Sequence, residues 1–106
     1  MNSIELASRI RKSSLSMAHR AKASHIGSAL SIADIVAVLY GGVMTLDSSN
    51  PHAINRDRFI LSKGHACVAV YSVLAEIGFI SYESLTTYGQ DDSWLMNHIS
   101  HKVDGV

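Results

Sequence analysis

The chain has 106 residues, and its nine basic and nine acidic residues give a formal net charge of zero at pH 7. A chain of this length forms at most one domain with a modest core. The balanced charge produces no long-range field that would favour nucleic acid or an anionic membrane as a partner. The single cysteine, Cys67, excludes an internal disulfide, which is typical of proteins in a reducing cytoplasm.

No segment is predicted to enter a membrane. Residues 1–20 are amphipathic and carry charges such as Glu5 and Arg9, so they lack the apolar core of a signal peptide. The apolar stretch Ala66–Ile80 is interrupted by Glu76 and is too short to span a bilayer. These features predict a soluble protein of the cytoplasm.

Two helices are predicted in the first part of the chain. Asn2 and Glu5 form a capping-box pattern, and apolar residues follow at helical spacing, which predicts a helix over about 3–22. Ser31 and Asp34 form the S-x-x-D pattern of a second helix start, with Asp34 as its cap. That helix is predicted to end at the glycine pair that follows its apolar run.

One strand and two further helices are predicted next. The run 59–61 (Phe-Ile-Leu) is short, apolar and bounded by charged or polar residues, which predicts a buried parallel strand. A third helix is predicted from Gly64 or His65 to about Gly78. A short fourth helix is predicted over 81–89, and the rest of the chain shows no clear period.

The turn between this strand and the third helix is a candidate anion site. A strand that leads into a helix through a tight turn directs free backbone N–H groups and the positive helix end at one point. Lys63 and His65 flank that point. The alternative is an ordinary strand-to-helix turn without a ligand.

Three segments, in order along the chain, resemble the transketolase family of thiamine-diphosphate enzymes. Residues 56–66, RDRFILSKGHA, are similar to the family signature RDRFxLSxGHA. Residues 24–35, SHIGSALSIADI, resemble the segment GHPGxxLGxAD(I/L). Residues 95–98, LMNH, with DGV at 104–106, resemble the segment (L)xGHPE…PGVE. The resemblance covers the chain from about residue 4 to its end.

The resemblance implies an α/β fold in which helices flank a parallel sheet. Residues 1–106 then form the N-terminal portion of the diphosphate-binding domain, and this portion is helix-dominated. The second and third predicted helices are apolar on every side, and such helices must be covered all round. We expect further chain, a partner subunit or both to supply that cover, as in the family's dimers.

The resemblance also implies roles for individual residues. His65, with Gly64 and Lys63, is expected to bind the diphosphate of the cofactor. His25 is expected to line the substrate channel, and His98 to lie near the reactive carbon of the cofactor, so both are catalytic candidates. Without the resemblance, His25 reads as a solvated loop residue and His65 as a helix-start residue bonded to nearby backbone.

The chain departs from the family pattern around these histidines. Ile26 replaces the proline that usually follows His25, which changes the stiffness of the loop. Asn97 replaces a glycine beside His98. His101 follows at a spacing that would suit zinc, but no cysteine pair, HExxH pattern or carboxylate cluster accompanies it, so no metal ligand is predicted.

The predicted function is transfer of a two-carbon ketol unit from a ketose phosphate to an aldose, with thiamine diphosphate as cofactor. The family's magnesium ligands and its activating glutamate have no counterpart in the chain, so both are expected outside it, and the chain alone is expected to be inactive. The expected partners are sugar phosphates and either a second copy or a subunit with the pyrimidine-binding domain.

Two alternatives to a transketolase remain. The first is a non-catalytic remnant or interaction module of the same fold. The second is an enzyme like deoxyxylulose-phosphate synthase, in which the segment corresponding to residues 61–65 typically has a sequence close to W-D-x-G-H. The segment 61–65, LSKGH, favours transketolase.

Overall fold

Three α-helices packed against one another form the centre of the fold. The computed structural model describes residues 1–106, with α1 at Ser3–Ala21, α2 at Ile26–Val38 and α3 at Cys67–Glu76. Each of these helices contacts the other two. Single helical turns lie at Leu39–Val43, Gly64–Ala66 and Glu83–Thr87.

The prediction for α1 is confirmed at both ends. The side chain of Asn2 accepts a hydrogen bond of 2.8 Å from the backbone N–H of Glu5, which caps the helix. Lys22 ends it in the left-handed conformation, with φ at 53°. Between the caps, one face of α1 buries Leu6 and Ile10 in the core.

The predicted start of the second helix is wrong, because α2 begins at Ile26. Ser31 lies inside the helix, and its hydroxyl donates to the carbonyl of Ser28 at 2.9 Å. Asp34 is not a cap, since its carboxylate accepts hydrogen bonds of 3.1 and 2.9 Å from the guanidinium of Arg11 on α1. These hydrogen bonds lower the pKa of Asp34. The S-x-x-D pattern here therefore marks a contact between two helices.

The chain itself covers α3 completely, contrary to the expectation from sequence. All nine residues from Cys67 to Ala75 are buried. The cover comes from α1, α2 and the segments that follow α3. Uncovered apolar surface remains on α2, where Ile35 and Val38 are 56% and 47% exposed.

The stretch Ile26–Val43 is long and apolar enough to cross a membrane by length and composition, which the sequence predictions above did not include. Such a stretch is weak support for a membrane span, because core helices of soluble proteins have the same composition. The alanines at 29, 33 and 37 have no exposed surface and pack in the core. Only 28% of the stretch is buried, so one side of it lies in the core while the other remains exposed.

The predicted strand is absent, because no second strand lies beside residues 59–61. The backbone groups of residues 58–62 form no backbone hydrogen bonds. Side chains nevertheless alternate as in a strand: Phe59 and Leu61 pack against the core, and Ile60 is 86% exposed. The segment is extended but lacks the hydrogen-bonding partner that defines a sheet.

The remaining helical predictions are confirmed in type and correct in place to within a few residues. The turn at Gly64–Ala66 leads directly into α3, which ends at Glu76, just before Gly78. The short fourth helix is the turn at Glu83–Thr87, and Gly89 follows with φ at 73°.

Alkaline pH is expected to destabilise the fold through three buried tyrosines, and burial raises the pKa of one of them, Tyr71, well above its ordinary value. Burial raises the pKa of both Tyr40 and Tyr88 to about 12. Since an unfolded tyrosine has a pKa of about 10, their contribution to the free energy of unfolding is complete below that pH and is lost as the pH rises towards 12. The urea midpoint should therefore fall between about pH 9 and about pH 11. Tyr40→Phe should show a smaller fall, and equal falls in both proteins would contradict this assignment.

Candidate functional site

Three histidines from three distant segments lie side by side on the surface. The ring centroids of His25 and His65 are 4.5 Å apart, and those of His65 and His98 are 5.0 Å apart. All three residues are exposed. No side-chain hydrogen bond in the chain involves their imidazoles. Their ring nitrogens are therefore free to bind a ligand.

His25 occupies the position before the first residue of α2, in the left-handed conformation with φ at 67°. Few residues other than glycine adopt this conformation. A residue that precedes proline is confined to more extended conformations. Ile26 therefore permits the observed backbone of His25, which the proline of the family pattern would disfavour.

His65 lies in the helical turn Gly64–Ala66, immediately before the buried helix α3. The turn leaves the imidazole exposed where the first N–H groups of the helix have no partner within it. The neighbouring Lys63 donates from Nζ to Oγ of Ser31 on α2 at 3.0 Å. Lys63 thus connects the His65 turn to the helix that begins beside His25. Its role as a cofactor ligand stays a prediction.

Gly64 provides the space in which the ring of His98 lies. A Cβ at this position would overlap the ring, meeting Cε1, Nε2 and Nδ1 of His98. The backbone N–H of Ile99 also donates to the carbonyl of Gly64 at 3.2 Å. Gly64 therefore places His98 beside His65, a role that the motif alone did not indicate.

A pocket of about 440 Å³ adjoins the histidine cluster, which consists of His25, His65 and His98. Its lining includes His25 and His65 and four further polar residues: Lys22, Ser24, Tyr88 and Asn97. No carboxylate lines it, so an anionic ligand would meet no like charge there. Lys22 and Tyr88 carried no signal in the sequence, because separate loops bring them to the pocket.

Cys67 lies behind the site and is not a nucleophile in this structure. Its side chain is fully buried at the start of α3. Burial raises the pKa of the thiol, which keeps it protonated. No group of three or more His, Cys, Asp or Glu side chains is arranged to hold a metal ion.

The sequence profile of one family, described as transketolase, thiamine diphosphate binding domain, matches residues 3–105. The match assigns the chain to the class of thiamine-diphosphate-binding sequences that this profile describes. The chain belongs to the transketolase family, which confirms the resemblance drawn from the three motifs.

Individual relatives agree with this assignment. One of the subunits of the apulose-4-phosphate transketolase of Phocaeicola vulgatus is 38% identical over 96 residues, which cover 91% of this chain and 34% of the relative. Human transketolase is 38% identical over 94 residues, which cover 89% of this chain and 15% of the relative. The solved transketolase of Leishmania mexicana superimposes with a TM-score of 0.91 at 30% identity, over 100% of this chain and 16% of that one. The chain thus spans about a third or less of these relatives.

Proposed function

We propose that the chain forms part of the cofactor site of a transketolase that moves a two-carbon ketol unit from a ketose phosphate to an aldose. The observation that carries this proposal is the convergence of the histidine cluster, with neighbouring ring centroids no more than 5.0 Å apart. Each of the three histidines comes from a different family motif. Membership of the family supports thiamine diphosphate as the cofactor.

The polar residues fit such a cofactor. The free imidazoles of His25 and His65 line a pocket without carboxylates, and the helix N-terminus beside His65 favours a negative charge. Thiamine diphosphate, when bound, supplies the electron sink for breaking and forming a carbon–carbon bond. In this proposal His65 binds the diphosphate, His25 donates to sugar hydroxyls, and His98 orients the ketol group. The magnesium ion that accompanies the cofactor takes its oxygen ligands from outside these residues.

The extended segment 58–62 supports a parallel sheet completed by chain outside the 106 residues. Its backbone donors and acceptors have no partner, and its side chains alternate between core and solvent. Backbone groups of this kind pair with a neighbouring strand in a folded domain. The segment is therefore proposed as one strand of the sheet that helices flank in this fold class.

The proposal includes a partner chain. Two relatives are named as subunits, one of the apulose-4-phosphate transketolase and the other, SqwG, of the 6-deoxy-6-sulfo-D-fructose transketolase of a Clostridium species. By analogy, a separate subunit or a second copy supplies the pyrimidine-binding domain. The assembly acts on sugar phosphates in the cytoplasm, in pentose phosphate metabolism.

Cofactor binding and ketol transfer by the complete protein with its partner test this proposal. We expect magnesium-dependent binding of thiamine diphosphate by calorimetry, and transfer that requires both sugars. A variant in which alanine replaces all three residues of the histidine cluster should lose both, whereas His101→Ala, an exposed histidine outside the cluster, should keep both. Cofactor binding without transfer would favour a non-catalytic module, and no binding would refute the proposal.

A further inference from the structure

We infer that Tyr71 is a positioning residue for His98, an inference that rests on the role proposed above for His98. Tyr71 lies inside α3 and has no exposed surface. Its hydroxyl donates to the backbone carbonyl of Met96 at 2.9 Å. Met96 lies two residues before His98, so this hydrogen bond fixes the segment that carries the imidazole.

A second donor from the same helix reaches the same carbonyl. Sγ of Cys67, one turn earlier on α3, donates to the carbonyl of Met96 at 3.4 Å. On the other side of His98, the N–H of Ile99 donates to the carbonyl of Gly64 at 3.2 Å. The backbone before and after His98 is therefore attached to one unit, the Gly64 turn and α3. That unit also carries His65.

Tyr71 is the stronger of the two donors to Met96. A hydroxyl forms a stronger hydrogen bond than a thiol, and its distance to the carbonyl oxygen is shorter. Burial raises the pKa of Tyr71 well above its ordinary value, so the hydroxyl keeps its proton and donates throughout the neutral range. Removing it leaves the carbonyl with the weak thiol donor alone, and the loop gains freedom to shift.

The test compares Tyr71→Phe with Tyr40→Phe in the full chain with any partner it requires. Tyr40 is the matched control, because its buried hydroxyl also donates to a backbone carbonyl, that of Gly105 at 3.3 Å, away from the histidine cluster. Both variants should lower Tm by a similar amount, on the order of 4–8 °C for one hydrogen bond in a domain of this size. The discriminating readout is the imidazole resonance of His98 in NMR, assigned by its loss in His98→Ala.

We expect Tyr71→Phe to shift or broaden the His98 resonance, and to lower kcat about tenfold with little change in the cofactor constant. Tyr40→Phe should leave the resonance and kcat unchanged. An unaltered His98 resonance in Tyr71→Phe, or equal changes in the two variants, would overturn the inference. If Tyr71→Phe fails to fold, Cys67→Ala is measured in its place. Loss of this weaker donor to the carbonyl of Met96 should still move the His98 resonance away from its wild-type position, by a smaller amount than loss of the tyrosine hydroxyl would.

The two readouts separate this inference from the proposed function. A shifted His98 resonance with unchanged turnover would support the positioning role of Tyr71 and refute the catalytic role of His98. An unshifted His98 resonance in an active Tyr71→Phe enzyme would refute the positioning role of Tyr71 without refuting the catalytic role of His98.

Discussion

Replacing Gly64 by alanine should displace the ring of His98 while the helical fold stays intact. The three heavy atoms nearest to the new Cβ would all belong to that ring. Since His98 is exposed, its side chain can rotate into solvent without moving the backbone. Displacing a reacting group by about 1 Å costs on the order of 100-fold in rate, so we expect a loss of that size in turnover and a change in Tm of no more than a few degrees.

Two other glycines provide controls for this measurement. A Cβ at Gly42 would meet nothing within 4 Å, so Gly42→Ala should leave turnover unchanged. Gly105 has φ at +93° and a Cβ there would lie 2.5 Å from Cδ2 of Leu74, so Gly105→Ala should lower Tm strongly. Wild-type turnover in Gly64→Ala, or a loss of stability like that of Gly105→Ala, would contradict the role assigned to Gly64.

The helices that the sequence predicted well are those with local signals. The bounds of α1 follow from the cap at Asn2 and from its apolar spacing, and those of α3 follow from a continuous apolar run that starts at a glycine turn. The start of α2 was missed because His25 caps it without any side-chain hydrogen bond. Asp34 was misread because a carboxylate that binds Arg11 across two helices looks the same in sequence as a helix cap.

Features that depend on distant residues were beyond prediction from local pattern. The short apolar run at residues 59–61 predicted a buried parallel strand, but pairing requires a second strand that the chain does not provide. The motifs identified the members of the histidine cluster separately, whereas their distances depend on the packing of α2 and α3. Tyr71 was missed because its partner, the carbonyl of Met96, lies 25 residues away.

Separate alanine substitutions of His65 and His25 should affect different ligands. His65 lies beside the N-terminus of α3, where a charge-assisted hydrogen bond to the diphosphate is worth about 1.5–3 kcal/mol. His65→Ala should therefore weaken cofactor binding by roughly ten- to a hundredfold, and excess cofactor should recover part of the rate. His25→Ala should instead raise the constants for ketose or aldose and leave cofactor binding close to normal.

The closeness of the two rings makes this a demanding comparison, because centroids 4.5 Å apart allow either imidazole to move when the other is removed. Steady-state kinetics with the cofactor and each sugar titrated separately resolve the two effects, with His101→Ala as the control for loss of an exposed imidazole. If His25 and His65 did not have separate roles, both variants would lose cofactor affinity equally. That outcome, or a His65→Ala enzyme altered only in its sugar constants, would refute the assignment of His65 to the charged end of the cofactor and His25 to the substrate.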